Sequence, residues 1–207
     1  MKTRMTGQMR LVLSLGALGM AGLTVTAAAL SDSATVLVQM DSSQNRFDLD
    51  VAGNYSSEAS TWEPTADSWQ QGNPDAYRLP IGPGQTNVMS PGSSISGRIA
   101  VRNNSPRLAG LIELSILDPQ ARGDVTDPQT GNFQELFEQL IFTVKDGDTV
   151  IFDHVPATQL SPFAWNAALP AGGIRVLDVR IEMSPDADNR WQMASTDVQF
   201  NFSGVTP

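Results

Sequence analysis

The sequence predicts an all-β fold, an antiparallel, jelly-roll-like β-sandwich with one short inserted helix. Two observations lead to this prediction. Apolar and polar residues alternate with a period of two over most of the chain after residue 32, and clusters of Gly, Pro, Asn, Asp and Ser separate the alternating runs. Helical spacing occurs in one short segment. We therefore expect eight or nine strands in two packed antiparallel sheets.

The first 28 residues are predicted to be a secretory signal peptide. Three basic residues within the first ten precede an apolar run that ends in small residues near residue 29. We expect cleavage between Ala28 and Ala29, which makes residues 29–207 a single β-sandwich domain and leaves only a transient membrane contact through the leader. A retained transmembrane anchor is the alternative, because the run approaches the ~20 residues that span a bilayer.

The charge balance argues against nucleic acid as a partner. The chain has 13 Lys and Arg residues against 22 Asp and Glu. The predicted leader contains Lys2, Arg4 and Arg10 and no acidic residue, so the mature chain has a formal charge near 10 − 22 = −12. Such a surface repels phosphate backbones and keeps an exported protein soluble. With no cysteine, its stability depends on a sheet core without disulfides.

Two candidate strands follow the leader. In each, one set of alternate residues is apolar, which predicts a half-buried strand. Asp48 and Asp50 lie on the opposite face of the second strand, which we expect to be solvated. The apolar faces consist of Ala34, Val36, Val38 and Met40 in the first strand, and of Phe47, Leu49 and Val51 in the second.

Residues 53–83 are predicted to be a long, Trp-containing loop insertion. The alternation stops there, and the segment is rich in Ser, Gly, Pro, Asn and Asp, with Trp62, Trp69 and Tyr77 spaced along it. These aromatic side chains either dock onto the sandwich and order the loop, or form a platform for a carbohydrate or another surface ligand. Docking is favoured, because aromatic side chains are packed more often than exposed.

Turn residues divide the next segment into two strands. Residues 90–93 form a predicted turn, a strand with Ile95, Ile99 and Val101 follows, and residues 103–106 end it before a run from residue 108 to 117. This order predicts a hairpin. Further on, Asn132 can cap a short helix that carries Glu135 in its first turn. The apolar face of that helix would consist of Phe133, Leu136, Phe137 and Leu140.

The last third of the chain returns to strand periodicity. Asp146-Gly147-Asp148 lies between two alternating runs, which is a strong hairpin signal. The next strand has Leu177, Val179, Ile181 and Met183 on its inner face. A final strand is expected from Met193 to Phe202, with Ala194, Val198, Phe200 and Phe202 on one side.

No catalytic, cofactor-binding or metal-ligating residue is predicted. His154 is the only histidine, cysteine is absent, and the chain has neither a His-Glu-x-x-His motif nor a nucleophile elbow. A catalytic zinc site usually needs several His or Cys ligands, so we expect His154 to have a structural or exposed role. The acidic run at residues 186–189 lacks the spacing of an EF-hand loop and is interpreted as a polar turn. The sequence favours a non-enzymatic protein.

Several segments resemble the TasA/camelysin family. They are the leader ending in AAALSDSATV, then FDLDVAG, MSPGSSISGRIAVRNNSPRLAGLIELSI, FQELFEQLIFTV and the C-terminal NRWQMASTDVQFNFSG. The resemblance implies a jelly-roll sandwich and an exported protein whose leader is cleaved at Ala28 and Ala29 by a SipW-type signal peptidase. The TasA branch forms fibres of the biofilm matrix, and camelysin is described as a cell-surface metalloprotease.

The resemblance also implies that the mature N-terminus inserts as a donated strand into the next subunit. Its inserting side chains would be Ala34, Val36, Val38 and Met40, although the same alternation is compatible with pairing inside their own subunit. The expected protein is a secreted, extracellular or cell-surface-associated structural protein, with matrix partners or self-association. A carbohydrate or surface-ligand binding module is the alternative, and a camelysin-like metalloprotease is less favoured because no ligand set supports it.

Overall fold

The structure, a computed structural model, describes residues 46–55, 61–79 and 88–206. These residues form nine β-strands and several short 3₁₀ turns, and all strand pairs are antiparallel. The all-β prediction is confirmed. The strands are β1 (Leu49–Tyr55), β2 (Gln70–Gln71), β3 (Ser94–Asn103), β4 (Leu111–Leu117), β5 (Leu140–Asp146), β6 (Thr149–Pro156), β7 (Phe163–Ala164), β8 (Ile174–Met183) and β9 (Gln199–Val205).

The strands make two sheets that enclose the core. The larger sheet has the order β2-β1-β3-β8-β5-β6, and the smaller has the order β7-β4-β9. Alternate residues of each strand face the opposite sheet. The centre of the core consists of fully or nearly fully buried side chains from β4, β5 and β8, namely Ile112, Leu114, Leu140, Phe142, Val144, Leu177, Val179, Ile181 and Met183.

The structure confirms two predicted turns and the predicted buried face of one strand. Gly92 and Gly147 both adopt positive φ, at the turn before β3 and at the turn between β5 and β6. Asp146 then pairs with Thr149, which makes β5 and β6 the expected hairpin. In β8 the alternate apolar residues from Leu177 to Met183 are buried, as their spacing predicted.

The predicted hairpin between β3 and β4 is wrong, because these strands belong to different sheets. The buried Asn103 directs the chain between them. Its side-chain amide donates to the carbonyl oxygens of Leu108 (2.8 Å) and Leu169 (2.9 Å), and its Oδ1 accepts from the backbone N–H of Ser105. The turn therefore crosses the sandwich instead of folding back within one sheet.

The predicted helix over residues 132–140 is also wrong. A 3₁₀ turn occupies Phe137–Gln139, and Leu140 already begins β5. The apolar residues at helical spacing satisfy separate tertiary contacts: Phe133 stacks on Trp191 with ring centroids 4.4 Å apart, whereas Leu136 enters the core. The Glu135 carboxylate accepts hydrogen bonds from the backbone N–H groups of Leu136 and Phe137. These side-chain bonds compete with the backbone hydrogen bonds of a helix.

Three further expectations need correction. The predicted loop begins too early, because residues 53–55 belong to β1. The insertion is also not all loop, because it contains β2. Asp50 is only 6% exposed and pairs with Arg102, so its face of the strand is not simply solvated. The last strand runs from Gln199 to Val205, later than predicted.

Among the residues with described structure, no helix has the length and hydropathy needed to cross a bilayer. The predicted leader, its cleavage position at Ala28 and Ala29, and the predicted strand at residues 34–40 lie outside the described residues.

Candidate functional site

A large groove opens between the two sheets on the side where β1 faces β9. Its volume is about 1670 Å³. The segments at residues 72–79 and 188–199 border it, and inward-facing side chains of both sheets line its floor. These floor residues are Leu49, Val51 and Tyr55 of β1, Ile95 and Ile99 of β3, Ile181 and Met183 of β8, and Phe200 and Phe202 of β9.

The hydrophobic core is less complete at the groove than at the centre of the sandwich. Leu49 and Val51 of β1 and Phe200 and Phe202 of β9 face inward, as their pairing registers require, yet each is only half-buried. Inward-facing residues of β4 and β5 have almost no exposed surface. The sandwich therefore presents apolar surface that an additional apolar element could cover.

The strand beside the groove also has an available edge. Within the described ranges, β9 pairs along seven residues with β4 on one side only. The other three sheet edges are poorer templates. β2 and β7 have two residues each, and β6 pairs irregularly with β5 and contains His154 at φ 52. Short or bulged edges resist strand addition, whereas a long regular edge permits it.

Phe47 lines the groove between the two sheets. Its ring packs directly on the backbone of Gly110 and Gly204, where any added Cβ atom would overlap the ring. Gly204 lies in β9, and Phe47 comes two residues before β1, so this contact joins the edges of the two sheets.

Tyr55 lies on the groove floor at the end of β1. Burial raises the pKa of its phenol from 10.0 to about 12, because a phenolate would lose hydration there. The side chain is therefore neutral in the physiological range and contributes its ring to an apolar floor.

Trp62 and Trp69 lie on the opposite, outer face of the larger sheet. We call residues 61–71 the strap segment. Arg98 of β3 donates to the carbonyl oxygen of Trp62 (3.0 Å) and pairs with Glu63 (2.8 Å) and Asp178 (2.6 Å). The guanidinium of Arg102 lies 4.6 Å from the ring centroid of Trp69.

The three proposed platform residues do not meet on one surface. Ala52 and Ala100 point to the outer face and have no exposed area, which indicates that the strap segment covers them. Trp62 and Trp69 are half-buried on that face, whereas the half-buried Tyr77 lines the groove between the sheets. The ligand platform stays a prediction.

A carboxyl pair borders a second, smaller pocket of about 260 Å³. Burial raises the pKa of Asp118, and the adjacent Glu135 adds to this effect. Burial opposes ionisation of Glu135 as well, but hydrogen bonds from Thr196, the Phe137 backbone and Arg122 hold its pKa below the ordinary value. Arg122 also donates to the carbonyl oxygen of Ser195. This cluster connects the end of β4 to the segment that leads into β9.

The remaining polar candidates have local roles. His154 lies within β6, where its backbone N–H donates to Thr143 Oγ1 and its Nε2 is 3.7 Å from Glu182. In the predicted polar turn, Asp188 accepts from the backbone N–H of Arg190 (2.9 Å) and pairs with its guanidinium. Across the described part of the chain, no three His, Asp or Glu side chains converge to form a metal site.

Sequence analysis missed the groove and the carboxyl pair. Alternation predicted that Phe200 and Phe202 face inward, but it carries no information on how completely they are covered. Asp118 and Glu135 are 17 positions apart and meet only through the crossing of loops. One signal was available in the sequence: Tyr55 lies at an even separation from Leu49 and Val51, which predicts that it shares their strand face.

No protein-family model matches this chain, and a search of curated proteins finds no match.

Proposed function

We propose that this chain is a secreted, non-enzymatic structural protein of the cell surface or the extracellular biofilm matrix. It assembles when the groove of one subunit accepts the N-terminal strand of a second copy. The observation that carries the proposal is the apolar groove floor, in which Leu49, Val51, Phe200 and Phe202 are only half-buried, beside the long β9 edge. The resemblance to the TasA/camelysin family supports the same function.

The groove has the two properties that strand addition requires. The β9 backbone supplies hydrogen-bonding groups along seven residues, and the apolar floor supplies contacts for every second side chain of an added strand. Such a strand would cover Phe200 and Phe202 and bury its own apolar face. Both effects favour association because they remove apolar surface from water.

The segment at residues 34–40 fits these requirements. Ala34, Val36, Val38 and Met40 alternate with residues that would face away from the floor. Only six residues separate Met40 from Phe47, which lines the groove. A short extended connection therefore suffices to direct it toward a neighbouring subunit.

Truncation tests the proposal directly. Protein that starts at Ala29 is compared with protein that starts at Asp41 by negative-stain electron microscopy and light scattering. We expect concentration-dependent assembly of the longer protein and monomers of the shorter one. If the longer protein stays monomeric at millimolar concentration, strand donation is wrong.

A charge-matched pair of variants separates strand insertion from general repulsion. Val38→Asp places a carboxylate on the inserting face, whereas Gln39→Asp adds the same charge to the opposite face. We expect V38D to abolish assembly and Q39D to assemble nearly as well as the unmodified protein. Equal loss in both variants would contradict a specific inserting face.

A further inference from the structure

Met193 is an apolar side chain at the rim of the groove with almost no cover. It is 96% exposed, and it lies with the exposed Val88 among the residues that line the groove. Exposed apolar side chains at the mouth of one groove are typical of a contact surface.

The backbone at Met193 supports this interpretation. Its φ is 69°, in the left-handed region that residues with a Cβ atom rarely adopt. Hydrogen bonds hold the backbone on both sides of Met193: the N–H of Gln192 donates to the Asn189 carbonyl oxygen, and the N–H of Ser195 donates to the Gln134 carbonyl oxygen. An unfavourable conformation that exposes a large apolar side chain indicates a role other than packing.

The other methionines of the mature sequence have different environments. Met183 is 4% exposed in the core, and Met89 is half-buried against it. Met40 belongs to the predicted inserting strand, outside the described residues. Because thioether oxidation follows exposure, Met193 should react before the two methionines with described positions.

We propose that Met193 is a peroxide-sensitive contact residue for the incoming strand of a second copy. This inference rests on the proposed function. The Met193 sulfur attacks one oxygen of hydrogen peroxide, the O–O bond breaks, that oxygen bonds to sulfur, and the other oxygen leaves as water after proton transfer. Sulfur is oxidised to the sulfoxide and peroxide is reduced.

Oxidation changes the contact that Met193 can make. The thioether is flexible and polarisable and packs well on an apolar strand, whereas the sulfoxide is polar and must lose water to make the same contact. Peroxide therefore weakens association at the groove without altering the buried core.

Peptide mapping decides the site of oxidation. Protein starting at Asp41, which lacks the inserting segment and is expected to be monomeric, is treated with limiting hydrogen peroxide, and sulfoxide formation is followed by mass spectrometry. We expect Met193 to react about tenfold faster than Met183 and faster than Met89, because its thioether is exposed. Comparable rates at Met193 and Met183 in this monomeric protein would overturn the assignment.

Assembly measurements test whether Met193 contacts the incoming strand. All proteins carry Met40→Leu, which removes the oxidisable side chain of the inserting strand, and Met193→Leu is the matched control. Peroxide should raise the critical concentration for assembly about tenfold in the protein that retains Met193, as expected for partial loss of one apolar contact. The Met193→Leu protein should not respond.

The possible failures are distinguishable. Unchanged assembly after complete oxidation of Met193 overturns the contact and leaves strand donation intact. A peroxide effect of equal size in the Met193→Leu control assigns the sensitivity to another residue and also overturns it. Absence of assembly before oxidation contradicts the proposed function, and the contact with it, while peptide mapping still decides the site of oxidation.

Discussion

At the scale of a single residue, ionisation of the Tyr55 phenol affects the stability of the folded protein. Its pKa is raised to about 12 by burial, so the folded state resists ionisation that the unfolded state undergoes near pH 10. The neutral phenol is fully stabilising below pH 10, and the contribution is lost as the pH rises from 10 to 12. The loss should approach 2–3 kcal/mol, as a rough upper value.

Urea unfolding at pH 8, 10 and 11.5 measures this effect. Tyr55→Phe should remove most of the alkaline loss of stability, and Tyr77→Phe, at the other tyrosine of the chain, serves as the control. An identical pH dependence in the unmodified protein and the Tyr55→Phe variant would show that burial of this phenol does not affect folding.

At the scale of a structural element, Arg98 attaches the strap segment to the larger sheet. Its side chain is 17% exposed and contacts the Trp62 carbonyl oxygen, Glu63 and Asp178 together. Arg98→Ala should lower the free energy of unfolding by about 1–2 kcal/mol, because it removes charge-assisted hydrogen bonds from a partly buried site. It should also make the strap segment more sensitive to limited proteolysis.

Arg180 offers a matched control on the same sheet face. Its side chain is half exposed and pairs with Glu182 alone, so Arg180→Ala should cost under about 0.5 kcal/mol. Both variants are measured by chemical denaturation and by the rate of cleavage within residues 61–71. If Arg98→Ala resembles Arg180→Ala, the strap segment is held by other contacts.

The elements also show what the sequence predicts and what it leaves open. Period-two alternation correctly identified the buried face of β8, and Asp146-Gly147 identified the β5–β6 hairpin, because both depend on neighbours along the chain. The β3–β4 crossing depends on Asn103 contacts with Leu169, 66 positions away, which no local pattern reveals. The same holds for the segment at residues 132–140, where tertiary contacts of Phe133 and Glu135 override helical spacing.

The groove illustrates a second limit of sequence analysis. Phe200 and Phe202 alternate in the same way as the fully covered Leu114 and Ile112, so periodicity predicts their direction and not their cover. Phe200 and Phe202 are half-buried because β9 is the edge strand beside the groove, whereas β4 lies between β7 and β9.

Net charge acts at the scale of the whole molecule. The expected mature charge near −12, from 10 basic and 22 acidic residues, makes neighbouring subunits repel one another before they associate. Raising NaCl from 10 to 150 mM should accelerate assembly several-fold, because the screening length falls from about 30 Å to about 8 Å. Light-scattering time courses at constant protein concentration measure the rate.

A neutral osmolyte at matched osmotic strength is the control for this experiment. Assembly that is equally fast at both salt concentrations would mean that the acidic surfaces lie far from the contact, and slower assembly in salt would mean that opposite charges attract there.

The unequal sheet edges determine the geometry of any polymer. β2, β6 and β7 are short or irregular, and β9 is the long regular edge among the described strands. A subunit with one acceptor edge and one donor segment has a valence of two. Polymers formed in the proposed way would therefore be unbranched and polar, with a growing end that differs from the opposite end, and a matrix built from them would need a separate component to cross-link it.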